Sequence, residues 1–316
     1  RRRLEGLADV RWGRDGPMPR GEFIAELAEA TAVVFGTWHY GSETIAGAGR
    51  SLRYVFEVAG GHTHRDLDYA TCFERGITVG SCASAFGPVV AEMALGRTLA
   101  AARLIVEGAA AVRRGDERWL HDGNLGARSL FGRTVGFVGA GGLSRCLQLL
   151  LAPFAPRIIG YDPWLDDAQL AARSIEPVSL EELFTQAEVV YVLAVPSPDN
   201  RGLVSRELME RLDPTDVLVV ISRAHLVDFE ALTDLVLQRR FRAAIDVFPA
   251  EPFDRAHPIR RADGVVLSAH RAGPLPEALL EIGRMVVDDL ESLLNGRPPR
   301  RMQYATPELV ERLAGG

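Results

Sequence analysis

Residues 134–162 read TVGFVGAGGLSRCLQLLLAPFAPRIIGYD, and their order of apolar, glycine-rich and acidic positions decides the fold. Residues 134–138 form a short apolar run rich in β-branched residues, as expected of a strand buried on both faces of a parallel sheet. Gly139 and Gly141 then supply a tight turn. With no Cβ in the way, a phosphate group can approach that backbone and meet the free N–H groups of the helix that follows. The helix carries Leu147, Leu149, Leu150 and Leu151, and Pro153 ends it. A second strand at 157–161 delivers Asp162, 23 residues after Gly139. A carboxylate there can bond the hydroxyls of an adenosine ribose and repels a phosphate in the same place, so NAD is favoured over NADP. Ser144 takes the third glycine position of the motif and is small enough for helix and strand to pack closely.

Beyond this unit the same alternation continues. Apolar strands are expected at 189–193, 217–221, 243–246 and 265–267, with helical stretches such as 229–239 between them. This is the pattern of a parallel sheet with helices on both faces. Before the unit, residues 1–87 hold a helix at 22–30 and strands at 32–36, 54–59 and 77–79, which form a small α/β body. One long helix is expected over 88–114, with Pro88 in its first turn and Gly115 beyond its end. A last helix spans 276–295, stopped by Gly296, Pro298 and Pro299, and the tail returns to complete the first body.

The chain of 316 residues is long enough for two domains. Its net charge is −6, and no basic tract offers the footprint that nucleic acid requires. It contains no lysine, so all 36 cationic residues are arginine and no Schiff-base chemistry is available. Cys72, Cys82 and Cys146 lack metal-ligand spacing, and their odd number argues against a disulfide framework and for a reducing, cytoplasmic setting. No metal site is expected. No apolar run reaches membrane length, and the first residues do not resemble a signal peptide.

Four ionisable residues stand at the ends of the late strands: Arg223, Asp246, Glu251 and His270. Parallel strands put them at the sheet edge that holds the glycine turn. Arginine offers a planar fork that can hold a carboxylate and polarise the adjacent carbonyl. Histidine can give the carbonyl oxygen a proton as hydride arrives, and a neighbouring carboxylate such as Glu251 favours the imidazolium. Together these types suit hydride transfer to a 2-oxo acid.

The segments VGFVGAGGLS, YDP, ISRAHLVDFEAL, AAIDVFPAEP and SAHRAG, in this order, resemble the D-isomer-specific 2-hydroxyacid dehydrogenase family. Weaker echoes are RGITVGSCASAFGPVVAEMALG and LLNGRPP. The resemblance implies an α/β protein in which a doubly wound Rossmann domain (88–273) is inserted into a smaller flavodoxin-like substrate domain (1–87 and 274–316). It implies catalytic roles for Arg223, Glu251 and His270, with Glu251 paired to the histidine and Asp246 beside the nicotinamide carboxamide. The cofactor-contacting set for NAD(H) is then Gly139, Gly141, Gly142, Leu143, Ser144, Asp162, Val195, Pro196, Ile221, Ser222 and Asp246. Substrate carboxylate is expected on Gly61, His62 and Thr63 together with Arg223, in a cleft between the domains. A homodimer joined through the helix after Gly87 is also implied.

Thr63, Ala224, His225 and Val220 depart from the family pattern and leave the substrate undefined. His62, His64 and Arg65 could read a second anionic group on it. Two other readings use the same scaffold: oxidation of a small anion such as phosphite, and a cofactor-sensing regulator akin to transcriptional corepressors. Formate is disfavoured by Glu251, because the formate enzymes carry Gln there.

Overall fold

A computed structural model describes residues 2–11, 17–58, 60 and 66–314. The chain divides into two compact units, one made of residues 1–86 and 274–316 and the other of residues 87–273. Among the described residues eleven strands run in chain order: β1 (Ala32–Phe35), β2 (Tyr54–Glu57), β3 (Thr78–Ser81), β4 (Thr134–Val138), β5 (Arg157–Tyr161), β6 (Glu176–Pro177), β7 (Val189–Val192), β8 (Val217–Val220), β9 (Arg242–Ile245), β10 (Val265–Leu267) and β11 (Gln303–Tyr304).

In the first unit the order is β1-β2-β3-β11, the first three parallel and β11 antiparallel to β3. Successive side chains of a strand face opposite ways, and both faces are covered. Val33, Phe35, Val55 and Val79 enter one core with Leu27, Ile45 and Cys72. Tyr54 and Phe56 enter another with Ile282, Met285, Val286 and Leu290 of the helix Pro276–Leu294. Asp289 on that helix is fully buried and accepts from the N–H groups of Arg300, Arg301 and Met302 and from the Tyr304 hydroxyl, which ties the tail to the helix. Burial pushes the Cys72 and Cys82 thiols up to about 12, so neither is a thiolate at neutral pH.

The second unit holds a seven-stranded sheet of order β10-β9-β8-β7-β4-β5-β6 with every pairing parallel. The chain winds outward from β4 in one direction through β5 and β6 and in the other through β7 to β10. The strand order therefore reverses between β4 and β7, the place where open α/β sheets hold ligands. The apolar runs of the sequence are explained by burial on both faces. Val138, Val190, Val192, Leu218, Val220 and Ile245 fill one core, and Val135, Phe137, Val189, Tyr191, Val219 and Ala244 fill the other.

The single helix expected over 88–114 is in fact two, Gly87–Ala102 and Ile105–Arg114. Leu104 breaks it by adopting φ +56°, a left-handed conformation uncommon for a side chain of its size. The reason lies in what each half covers. Ala91, Ala94, Thr98 and Ala101 are buried in the first helix, whereas the second buries no residue. The chain must turn once the sheet below it ends. Among the described residues no helix is long and apolar enough to cross a membrane, and no group of three or more His, Cys, Asp or Glu could hold a metal ion.

Candidate active site

The glycine turn is built as the sequence demands. Gly139 has φ +97°, and a Cβ there would lie 2.5 Å from the Ala194 backbone, so no other residue fits without moving the β7 loop. Gly141 caps the helix Gly142–Leu151 with no side chain over its end, and a Cβ on Gly141 or Gly142 would meet nothing within 4 Å. The first-turn amides of Gly142, Leu143 and Ser144 lack intrahelical partners by geometry. Ser144 is fully buried, and its hydroxyl donates to the Gly141 carbonyl at 2.7 Å, which tightens that turn.

Asp162 is half-buried at the end of β5. Its carboxylate accepts from the N–H of Ala140 at 2.8 Å and of Trp164 at 2.9 Å, so it is locked to the glycine turn it serves. Beside it opens a groove of about 400 Å³ to which Asp162, Asp167 and Glu182 contribute three carboxylates, a lining hostile to an added phosphate. The groove does not reach Arg223, Glu251 or His270. Val195 is exposed in the loop after β7, where Asn200 holds the Val195 carbonyl and the Ser197 amide. Pro196 follows it, partly buried. Ile221 is buried at the end of β8, and the Ser222 hydroxyl next to it is buried without a hydrogen-bond partner. A bare glycine turn, an open helix N-terminus, a fixed acid and an orphaned hydroxyl along one sheet edge fit a dinucleotide.

The ionisable residues lie at the same edge, because β4, β8, β9 and β10 run parallel. Glu251 and His270 are brought into direct contact: Nδ1 of the imidazole meets Oε2 of the carboxylate at 2.6 Å. An ionised carboxylate only accepts, so Nδ1 carries the hydrogen and Nε2 points away from Glu251. The second Glu251 oxygen accepts from the Phe248 N–H at 3.0 Å. The pair keeps 41% and 36% side-chain exposure, open enough to meet a ligand. Arg223 is exposed in extended backbone, and its guanidinium donates to the neighbouring Ser222 carbonyl at 2.8 Å. No hydrogen bond among the described residues joins it to Glu251 or His270. Gly61, His62 and Thr63 lie outside the described residues, as do His64 and Arg65.

Asp246 occupies a different position from the others. Its side chain is fully buried and accepts from the Ser268 hydroxyl, the Arg271 N–H at 3.2 Å and the Ala272 N–H at 3.0 Å. Its main-chain carbonyl accepts from the His270 N–H at 2.7 Å. Three consecutive amides therefore converge on one residue, and they hold His270 at φ +49°. The sequence reading missed the residue beneath them. Arg97, from the helix Gly87–Ala102, reaches Ser268 and the carbonyls of Ile245 in β9 and Val266 in β10. The signal that could have found it is a lone arginine inside the apolar run AEMALGRTLAAA.

Residues 95–272 match the family model described as the D-isomer specific 2-hydroxyacid dehydrogenase, NAD binding domain. The chain belongs to the D-isomer-specific 2-hydroxyacid dehydrogenase family, and its second unit is the NAD-binding domain of that family. It is similar to D-3-phosphoglycerate dehydrogenase of Mycobacterium leprae, with 31% identity over 294 residues, 93% of this chain and 54% of that protein. It is also similar to glyoxylate reductase of Thermofilum pendens, with 27% identity over 296 residues, 92% and 86% of the two chains. The crystal structure of a phosphoglycerate oxidoreductase from Rhizobium etli superposes with a TM-score of 0.80 at 34% identity, covering 91% of this chain and 87% of that one. The chain spans about half the length of the phosphoglycerate dehydrogenases that it matches.

Proposed function

We propose that this chain is an NAD-dependent oxidoreductase that interconverts a 2-oxo acid and its (R)-2-hydroxy acid. The observation that carries the reading is the 2.6 Å contact between Glu251 and His270 at the C-terminal edge of an NAD-binding sheet. NADH, when bound, supplies the hydride. His270 holds a proton at Nε2 for the carbonyl oxygen and takes it back in the reverse direction. Glu251 fixes the ring orientation and tautomer, and its own second oxygen is anchored by Phe248. Arg223, free of any acidic partner among the described residues, holds the substrate carboxylate and polarises the carbonyl. Asp162 selects NAD(H) by accepting from ribose hydroxyls.

The same reading includes a homodimer joined through the helical stretch after Gly87, and the exposed Ile105, Val106 and Val112 in that stretch support an apolar contact. Three free cysteines agree with a reducing, cytoplasmic location.

Oxidation of NADH with glyoxylate, hydroxypyruvate, phenylpyruvate, 2-oxoglutarate and phosphonopyruvate tests the proposal. Turnover with at least one 2-oxo acid is expected. NADH binding without turnover on any of them would contradict the enzyme and point to a cofactor-sensing protein instead.

A further inference from the structure

We infer that Arg97 is a positioning residue for His270, acting through Asp246 from beneath the sheet. The inference rests on the reading of His270 as the acid and base of the reaction. Arg97 and Asp246 are 5% and 0% exposed, and the guanidinium lies 3.7 Å from the carboxylate. One Nη donates to Ser268, which itself donates to Asp246, and the other donates to the carbonyls of Ile245, the last residue of β9, and of Val266 within β10. A single side chain thus ties together the two strands that carry Glu251 and His270.

The arrangement is costly. Arg97 Nε is buried without a partner, and burial pushes the guanidinium down from its ordinary value despite the charge of Asp246. A buried ion pair is often no better for stability than apolar groups of the same volume. Its consequence here is geometric. A charged Asp246 accepts from Ser268, Arg271 and Ala272 at once, and this holds the His270 backbone in its left-handed conformation. A neutral carboxyl gives up one lone-pair site to its proton and accepts more weakly at the others, so the three bonds lose their charge assistance.

Among the described residues, Arg97 is the cation paired with Asp246. The other ionisable residues of that corner do not replace it. His270 and Arg271 approach Asp246 through main-chain N–H groups, and Glu251 faces the imidazole. Without Arg97 the buried carboxylate has no counter-charge, and a group so placed takes up a proton. The bonds from the 271 and 272 amides then weaken, and the hold on the His270 backbone loosens.

The test compares the full-length chain with Arg97→Met, Arg97→Lys and Asp246→Asn, with NADH present. Amide hydrogen exchange at Arg271 and Ala272 is read first, because it does not depend on turnover. Protection in Arg97→Met should fall on the order of tenfold or more toward acid pH and recover toward alkaline pH, while the wild-type chain shows no such dependence. Arg97→Lys should restore it, and Asp246→Asn, a weaker acceptor that does not titrate, should show lowered protection at every pH. In turnover, kcat of Arg97→Met should fall on the order of ten- to a hundredfold at acid pH, with an acid limb absent from the wild type. Equal protection and equal pH profiles in Arg97→Met and wild type would overturn the inference. So would a loss that is uniform in pH and not rescued by lysine. A wild-type chain that never turns over, yet shows the expected exchange pattern, would sink the catalytic reading and leave the Arg97 link to the His270 backbone standing.

Discussion

The two ends of the seven-stranded sheet treat charge in opposite ways. At the N-terminal ends of its strands, charged groups spend their hydrogen bonds on the fold. Glu188 accepts from Arg128, Arg133 and the Thr134 N–H, Asp216 accepts from the Asp213 N–H, and Arg242 donates to the carbonyls of Ala102 and Gly126. At the C-terminal ends the buried pair Arg97 and Asp246 plays that part, while Arg223 and His270 above it stay exposed. In this reading a buried, hydrogen-bonded layer beneath holds an exposed layer in place.

The comparison breaks most visibly if the exposed layer is removed. His270→Ala should lower kcat by roughly 10²- to 10⁴-fold while NADH still quenches or shifts fluorescence as in the wild type. Gly139→Ala tests the glycine turn of the same edge. Its Cβ would lie 2.5 Å from the Ala194 backbone at a residue with φ +97°, so a loss of about 2–4 kcal/mol of stability is expected by thermal melting. NADH affinity should fall with it.

On the opposite edge, burial pushes the Asp216 carboxyl up to about 6, well above its unfolded value, and the nearby Arg128 only partly offsets this. A group raised on folding contributes stability below its unfolded pKa, and that contribution is lost as pH rises through about 6. Asp216→Asn escapes the loss. Its melting temperature relative to wild type should therefore climb between about pH 4 and pH 7, by the equivalent of about 2 kcal/mol, with kcat unaffected. The smallest effect belongs to Glu188→Gln, which keeps the shape but weakens three charge-assisted bonds. A stability loss of about 1–2 kcal/mol and a kcat within twofold of wild type are expected. A large kcat effect there would erase the contrast between the edges.

Much of this was legible in the sequence, for physical reasons. The strands β5 and β10 stand where the apolar runs placed them, because burial on both faces leaves a continuous signal. Gly139 and Asp162 were legible because a tight turn and a fixed spacing constrain residue type. The strand ends brought Glu251 and His270 to one sheet edge, while their pairing was implied by the family resemblance and appears here as the contact between Nδ1 and Oε2. The break at Leu104 was not legible: 103–106 carries no glycine or proline, and what ends the first helix is the edge of the sheet beneath it. Arg97 was hidden for a related reason. Its partners Ile245, Val266 and Ser268 lie 148 or more positions away, and no local pattern announces a contact of that separation. The distinct place of Asp246, buried beneath its neighbours, likewise depends on Ser268, Arg271 and Ala272 closing over it.

The most direct test of the account uses NADH carrying deuterium at C4 in the transferred position, together with the 2-oxo acid that turns over fastest. The account predicts an (R)-2-hydroxy acid with deuterium at C2, formed at a rate that falls by orders of magnitude in His270→Ala. A product without deuterium, or one formed equally fast by the variant, would contradict it.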